Sequence, residues 1–318
     1  MSQPQRKETY MKVGFIGLGT MGARMALNVC AAGYDVVVND IRREAGASHL
    51  KAGAAWLESA REVAEAADIV FTSLPGPQEV EVVALAEHGL LAGMRRGTAW
   101  FDLSTNSPTV VRRLHERFAA KGVAMLDSPV SGGPAGAKSR QLALWVSGDR
   151  AEFDRHEPVL RAIGDQPMYV GPIGAGTVAK LVHNTAAYAI LAALGEVFTL
   201  GVKAGVEPLA LWQAVRQGAF GRRRTFDRLA EQFLPHLFDP PSFTLKLAHK
   251  DITLATELGR ELNVPLRIAA LVHEELTEAL NRGWAERDSR IFMLLQEERA
   301  GVNIDVPADE IQKVLAHG

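Results

Sequence analysis

Two glycine-rich turns, one lysine-bearing helix start and one Lys-Asp pair are the residues of this chain whose types and spacing could do chemistry. Gly17-Leu18-Gly19-Thr20-Met21-Gly22 is a G-x-G-x-x-G run between the strand pattern Lys12 to Ile16 and a helical pattern from Ala23 to Ala32. In that context Gly17 makes the tight turn, Gly19 admits a pyrophosphate to the backbone, and Gly22 lets helix and strand pack closely. Free N–H groups at the helix start then face the phosphates. The next strand pattern, Asp35 to Asn39, ends at Asp40, where an acidic side chain bonds the ribose 2′-hydroxyl of NAD. A carboxylate there repels the extra phosphate of NADP. Arg42 and Arg43 soften that preference if they reach the phosphate, and are plain surface charges if they do not.

The second turn, Ser128-Pro129-Val130-Ser131-Gly132-Gly133-Pro134-Ala135-Gly136-Ala137, follows a strand pattern ending at Asp127. Successive N–H groups around Ser131, Gly132 and Gly133 can form a nest for an anion such as a carboxylate, or the run is only a turn. Gly174 to Asn184 opens a long helix on which Lys180 and Asn184 stand four apart and share a face. A buried lysine is costly unless paired or used, so this face is a candidate site. The alternative is a lysine whose stem lies on apolar surface and whose amine reaches solvent. Lys250 and Asp251 sit in the amphipathic pattern Leu245 to Ala255, where a solvated face is the plain reading. Arg222-Arg223-Arg224, the one dense basic run, is a solvated loop or a recogniser of a second anionic group on a substrate.

The elements that must position these residues alternate through the first half. Strand patterns at Asp68 to Leu74, Trp100 to Leu103, Val123 to Asp127, Leu142 to Val146 and Met168 to Val170 are separated by helical ones, as βαβ units require. Ser107-Pro108 reads as an N-cap followed by proline in the first turn. Ligands bind at the carboxyl ends of such strands, so Asn39, Leu74, Pro75, Ser104 and Thr105 border the cofactor, the last two serving equally well as caps. After Gly174 no strand pattern recurs. Val178 to Leu200 is apolar on nearly every side, which predicts a buried helix. Lys180, His183, Asn184 and Glu196 interrupt it and make a membrane span a poor reading. Leu191, Leu194, Phe198 and Leu200 on it are core or subunit interface. The expected fold is an α/β Rossmann-type dinucleotide-binding domain over 11–173 and an all-α domain over 174–318 for substrate and oligomerisation, joined by the long helix. Residues 1–10 are a disordered extension.

A chain of 318 residues suffices for two domains. Its formal net charge of -2 gives no electrostatic footprint for nucleic acid or an acidic membrane surface. The single cysteine, Cys30, cannot form an internal disulfide, and no Cys/His spacing suggests a metal. Met1 to Tyr10 lack the apolar core of a signal peptide, so a cytoplasmic protein is expected.

As an ordered set, GLGTMG at 17–22, DSPVSGGPAGA at 127–137, GAGTVAKLVHN at 174–184 and KDITLA at 250–255 resemble the β-hydroxyacid dehydrogenase family, which includes 3-hydroxyisobutyrate dehydrogenase and tartronate semialdehyde reductase. The likeness runs from Met11 through nearly the whole chain. It implies that Gly17 to Gly22 bind the dinucleotide and that Ser131, Gly132 and Gly133 hold the substrate carboxylate. It also implies Lys180 as catalytic acid/base, Asn184 as its partner on the substrate, Lys250 beside the nicotinamide, and Asp251 ordering that corner and contacting substrate. A homodimer or homotetramer acting on a small anionic substrate goes with the family. Two positions depart from it: His183-Asn184 replaces two successive asparagines, and Arg140-Gln141 replaces Gly-Thr.

Oxidising a β-hydroxyl needs a base on the oxygen while hydride leaves carbon for the nicotinamide. A lysine with its usual pKa of about 10.4 is protonated at neutral pH; bringing it to roughly 8 destabilises the charged form by about 3 kcal/mol. Burial would do this, helped by Lys250 and the oxidised nicotinamide, and an alkaline optimum for oxidation follows. Other readings are an NADPH-dependent reductase of small aldehyde acids or imines, and a dinucleotide-binding sensor that has lost catalysis.

Overall fold

The computed structural model of the chain describes residues 11–218, 221, 226–263 and 265–316. The N-terminal extension and Arg222, Arg223 and Arg224 lie outside the described residues, as do the side chains of Glu196, Val197 and Leu200. The chain divides into two compact units after Lys180.

In the first unit the apolar strand patterns become one sheet. Its elements are β1 (Lys12–Ile16), α1 (Gly22–Ala31), β2 (Asp35–Asn39), α2 (Ala47–Lys51), β3 (Ala55–Trp56), α3 (Ala60–Ala66), β4 (Ile69–Thr72), α4 (Pro77–Leu85), α5 (Leu90–Gly93), β5 (Ala99–Asp102) and α6 (Pro108–Ala119). There follow β6 (Ala124–Asp127), β7 (Val130–Ser131), α7 (Gly133–Ser139), β8 (Ala143–Ser147), α8 (Arg150–Ile163) and β9 (Gln166–Gly171). The strand order β3-β2-β1-β4-β5-β6-β8-β7, with β9 paired to β8, begins with the 3-2-1-4-5-6 order of dinucleotide-binding sheets. Strands β1 to β6 pair in parallel. The expectation of βαβ units throughout fails at β8, which runs antiparallel to β6 and β7. The segment between β6 and β8 folds back through β7 and the short α7, so the chain re-enters the sheet from the opposite end.

Side chains alternate across this sheet and bury both faces. Phe15, Phe71 and Phe101 stack on one face, with ring centroids 6.0 and 5.7 Å apart. Val37, Val70, Trp100 and Met125 fill the other. Burial on two faces is why these strands read as unbroken apolar runs. At α6, Pro108 stands in the first turn, but the Ser107 hydroxyl makes no capping bond; the Asn106 side chain accepts the Ser107 N–H at 2.7 Å instead.

The second unit begins within α9 (Ala175–Lys203), followed by α10 (Pro208–Gln217), α11 (Leu245–Glu261), α12 (Arg267–Asn281), α13 (Leu294–Ala300) and α14 (Ala308–Ala316). Its described residues contain no strand, only an isolated bridge between Thr244 and Asp288. Tyr188, Leu191, Leu194 and Phe198 of α9 pack with Trp212, Phe233, Ile252 and Leu276 in one core, so Leu191, Leu194 and Phe198 are core residues. The helix is not buried all round. Val182 is 64% exposed and Ile190 46%, which places apolar side chains on its solvent side as well. Ala175–Gly195 has the length and composition of a membrane span, but the face that carries Leu191 and Leu194 is the core of a helical unit.

Candidate functional site

The glycine turn is built for close backbone approach. Gly17 has φ 91°, and a Cβ there would overlap the Ser73 carbonyl oxygen. Around Gly19 the space is open, as a turn that admits a phosphate requires. The tight contact at Gly22 is with the Gly17 carbonyl and the Ser73 side chain just past β4, so this glycine packs the helix against its own turn. Leu18 is buried, Met21 half-buried and Thr20 exposed.

Asp40 fastens this turn from beneath. Its Oδ2 accepts the Leu18 N–H at 2.7 Å, and its Oδ1 accepts the Arg42 N–H at 2.9 Å with the Arg42 guanidinium 3.6 Å away. Each carboxylate oxygen has a second lone pair, which leaves room for a hydroxyl donor. Arg43 pairs with Glu58 and lies over the Trp56 ring, 5.5 Å from its centroid. Both arginines are therefore held by carboxylates. Asn39 belongs to the frame: its amide donates to the Leu57 carbonyl at 2.8 Å, and its own carbonyl accepts the Gly17 N–H.

At the same end of the sheet a second carboxylate, Asp102, closes β5. It is fully buried and faces only uncharged donors: Thr72 Oγ1 at 2.8 Å, the Ser104 N–H at 3.1 Å and the Asn106 amide at 2.9 Å. Burial pushes its carboxyl above the usual range, against the hydrogen bonds from Ser104, Asn106 and Thr72. Ser104 is buried too, and its Oγ accepts the Leu74 N–H at 2.9 Å. Asp102 and Ser104 thus tie the loop carrying Leu74 and Pro75 to the loop carrying Thr105. Leu74 and Thr105 are half-buried and Pro75 is exposed.

Asp127 does for β6 what Asp102 does for β5. Its Oδ1 accepts the Gly174 N–H at 2.8 Å and the Ser147 hydroxyl; its Oδ2 accepts the Thr177 N–H at 2.6 Å and the Thr177 hydroxyl at 2.8 Å. The Ser131-Gly132-Gly133 turn beyond it is half-buried at Ser131 and exposed at the glycines. Gly132 (φ 135°) and Gly133 (φ 61°) both have positive φ. The departure at Arg140 falls on a left-handed position, φ 61°, at the end of α7, where glycine is the favoured residue. Neither Asp102 nor Asp127 stood out in the sequence as anything but a strand end. The available signal was an acidic residue closing an otherwise apolar strand pattern.

Lys180 is the last residue of the first unit and is half-buried on α9; His183 is exposed on the same helix. In the second unit Asp251 of α11 is 1% exposed. Its Oδ2 accepts the Asn184 amide at 2.5 Å, and its Oδ1 lies 2.9 Å from the Lys250 amine as an ion pair rather than an aligned hydrogen bond. The Lys250-Asp251 pair is therefore no solvated face. Asp251 has almost no exposed surface, and the polar side chains it holds are those of Asn184 and Lys250. Tyr188, one turn beyond Asn184, is buried with its hydroxyl 3.5 Å from Ser289 Oγ, and burial raises its phenol.

A glycine turn gripped by an acidic strand end, on a 3-2-1-4-5-6 sheet, defines a Rossmann-type dinucleotide-binding domain. Family models add the rest: residues 12–171 match the NAD binding domain of 6-phosphogluconate dehydrogenase, and 174–295 match the NAD-binding domain of NADP-dependent 3-hydroxyisobutyrate dehydrogenase. The chain is 34% identical to 2-(hydroxymethyl)glutarate dehydrogenase of Eubacterium barkeri, over 93% of this chain and 98% of that one. It is also 34% identical to NAD-dependent L-serine dehydrogenase of Pseudomonas aeruginosa, over 91% and 99%. Among solved structures, 3-hydroxyisobutyrate dehydrogenase of Mycobacterium tuberculosis with L-serine aligns at TM-score 0.81 and 27% identity, covering 90% of this chain and 99% of that one. The chain belongs to the β-hydroxyacid dehydrogenase family and is a nicotinamide-dependent hydroxyacid oxidoreductase.

Proposed function

We propose that the chain oxidises the β-hydroxyl of a small carboxylic acid with NAD, using Lys180 as general base. The observation that carries this reading is Asp251, whose buried carboxylate binds both Asn184 and Lys250. An amide and an amine held by one buried acid are donors that a hydroxy-acid substrate and its cofactor would meet. The glycine turn fits the cofactor, since Gly19 leaves the space that a side chain would fill. Gly17 to Gly22, Asp40, Leu74, Pro75 and Thr105 would hold it, and the bound nicotinamide supplies the hydride acceptor. The pairing of Arg42 with Asp40 and of Arg43 with Glu58 supports NAD over NADP, because neither guanidinium is left without a carboxylate.

Within this reading the N–H groups at Ser131, Gly132 and Gly133 bind the substrate carboxylate, Asn184 orients the hydroxyl, and Lys180 takes its proton as the C–H bond breaks. In reduction the protonated lysine returns that proton to the carbonyl oxygen. A homo-oligomer goes with the family resemblance, and the exposed Val182 and Ile190 on α9 support it.

The test is absorbance at the reduced-nicotinamide band with NAD, and separately NADP, against 3-hydroxyisobutyrate, L-serine and 2-(hydroxymethyl)glutarate. Turnover with NAD on at least one acid is expected, rising toward alkaline pH. Lys180→Ala should abolish turnover and leave NAD binding intact. Near-normal turnover in that variant removes the lysine from its role, and turnover with NADP alone overturns the cofactor preference.

A further inference from the structure

A helix begins with N–H groups that no residue of the helix can accept. At α9 three of them, on Gly174, Gly176 and Thr177, end on two buried side chains of the sheet. Asp127 accepts directly from Gly174 and Thr177. Ser147 Oγ accepts the Gly176 N–H at 2.9 Å and donates its own hydroxyl hydrogen bond to Asp127. The Thr177 hydroxyl supplies a fourth donor to the same carboxylate. All four groups facing Asp127 are donors, which suits an acceptor-only carboxylate and would leave an amide with its NH2 against donors. The helix start also lies directly on β8, for a Cβ on Gly176 would overlap the Trp145 carbonyl oxygen. Asp127 is 1% exposed and none of these partners is a cation. A carboxylate buried among neutral donors is costly as a mere cap, since a surface serine or aspartate satisfies a helix start more cheaply.

What distinguishes this helix start is its second turn, which carries Lys180. We propose that Asp127, with Ser147 and Thr177, is the positioning clamp for Lys180. It fixes the rotation and height of the first turns of α9 and so the place from which the lysine amine reaches the reacting oxygen. The proposal rests on the reading of Lys180 as general base. Asp127 touches neither cofactor nor substrate in this account; it acts through the helix. Nothing in the clamp belongs to the glycine turn or to the Asp102 tie, so its loss should spare cofactor binding.

The experiment compares Asp127→Asn, Thr177→Val and Thr177→Ser with the unaltered protein and with Lys180→Ala. Each is assayed with NAD and whichever of 3-hydroxyisobutyrate, L-serine and 2-(hydroxymethyl)glutarate the unaltered protein turns over fastest. NAD affinity is read separately by fluorescence titration. A base misplaced by about an ångström costs on the order of 100-fold in rate, so Asp127→Asn should lose about 10- to 100-fold in kcat while NAD Kd and substrate KM stay within about threefold. Thr177→Val should lose several-fold in kcat, and Thr177→Ser, which keeps both donors, should restore it. Unchanged kcat in Asp127→Asn, or a loss of NAD binding in step with kcat, overturns the clamp. If Asp127→Asn does not fold, the threonine pair decides, and equal kcat in the two threonine variants overturns it. Turnover surviving in Lys180→Ala is a separate failure, of the base assignment itself.

Discussion

Replacing Asp251 by asparagine keeps its volume and removes the charge that Asn184 and Lys250 share. Hydrogen bonds to charged groups contribute about 1.5–3 kcal/mol, and if that orientation is realised at the transition state, kcat should fall about 10- to 150-fold. Steady-state rates alongside an NAD titration check this, with unaltered NAD affinity expected; a kcat like that of the parent protein would detach Asn184 and Lys250 from the chemistry. At this scale the sequence was partly legible. The tight turn at Gly17 and the acidic strand end at Asp40 could be read from residue type and position, whereas the Leu18 N–H that Asp40 accepts could not. Asp251 could not be read as buried, because the amphipathic pattern from Leu245 to Ala255 permits either a solvated or a covered position for it. Asp102 and Asp127 were hidden for a different reason: their partners come from residues far along the chain, such as Thr72 and Thr177, that no local pattern brings together.

Among elements, α13 shows how a helix is locked by titratable groups. Glu297 is buried on it, with Oε1 3.0 Å from His236 Nε2 and Oε2 accepting the Ile304 N–H at 3.0 Å. Burial alone would lower the His236 imidazole, but the hydrogen bond and charge of Glu297, with Asp305 adding, reverse this and raise it. A histidine raised in the folded state favours folding fully at pH below its unfolded value of about 6.5, and that contribution is lost as pH rises through the folded value. Urea midpoints of the second unit should therefore decline as pH rises above the unfolded value of about 6.5, and His236→Gln should flatten that slope. An unchanged slope in the variant would assign the pH dependence elsewhere. The long α9 was legible from apolar composition over many turns, whereas β3 and β7, two residues each, were not, since a period of two cannot be seen in two residues. They exist because neighbouring strands hold them in register, a constraint absent from the local sequence.

At the scale of the whole molecule, the alternation of strand and helix patterns followed by helices alone foretold an α/β unit and then a helical one, and the two have separate cores. The buried clusters of the first unit draw on Val13 through Ile163, and that of the second on Tyr188 through Ile311, with no residue in common. Only α9 runs through the division. Ligand binding stabilises the structure that binds, by about 2.7 kcal/mol at a hundredfold excess over Kd, which is about 100-fold in the population of open forms. If the units open independently, NAD at that excess should slow amide hydrogen exchange in β1, β4, β5 and β6 by up to about 100-fold. Amides of α10, α12, α13 and α14 should keep their rates, because their opening breaks the second core and leaves the glycine turn and Asp40 in place. Peptide-resolved exchange with and without NAD distinguishes the two cases. Equal slowing in both units would mean that the continuous helix makes them open as one, and the separate cores would then describe packing but not cooperativity.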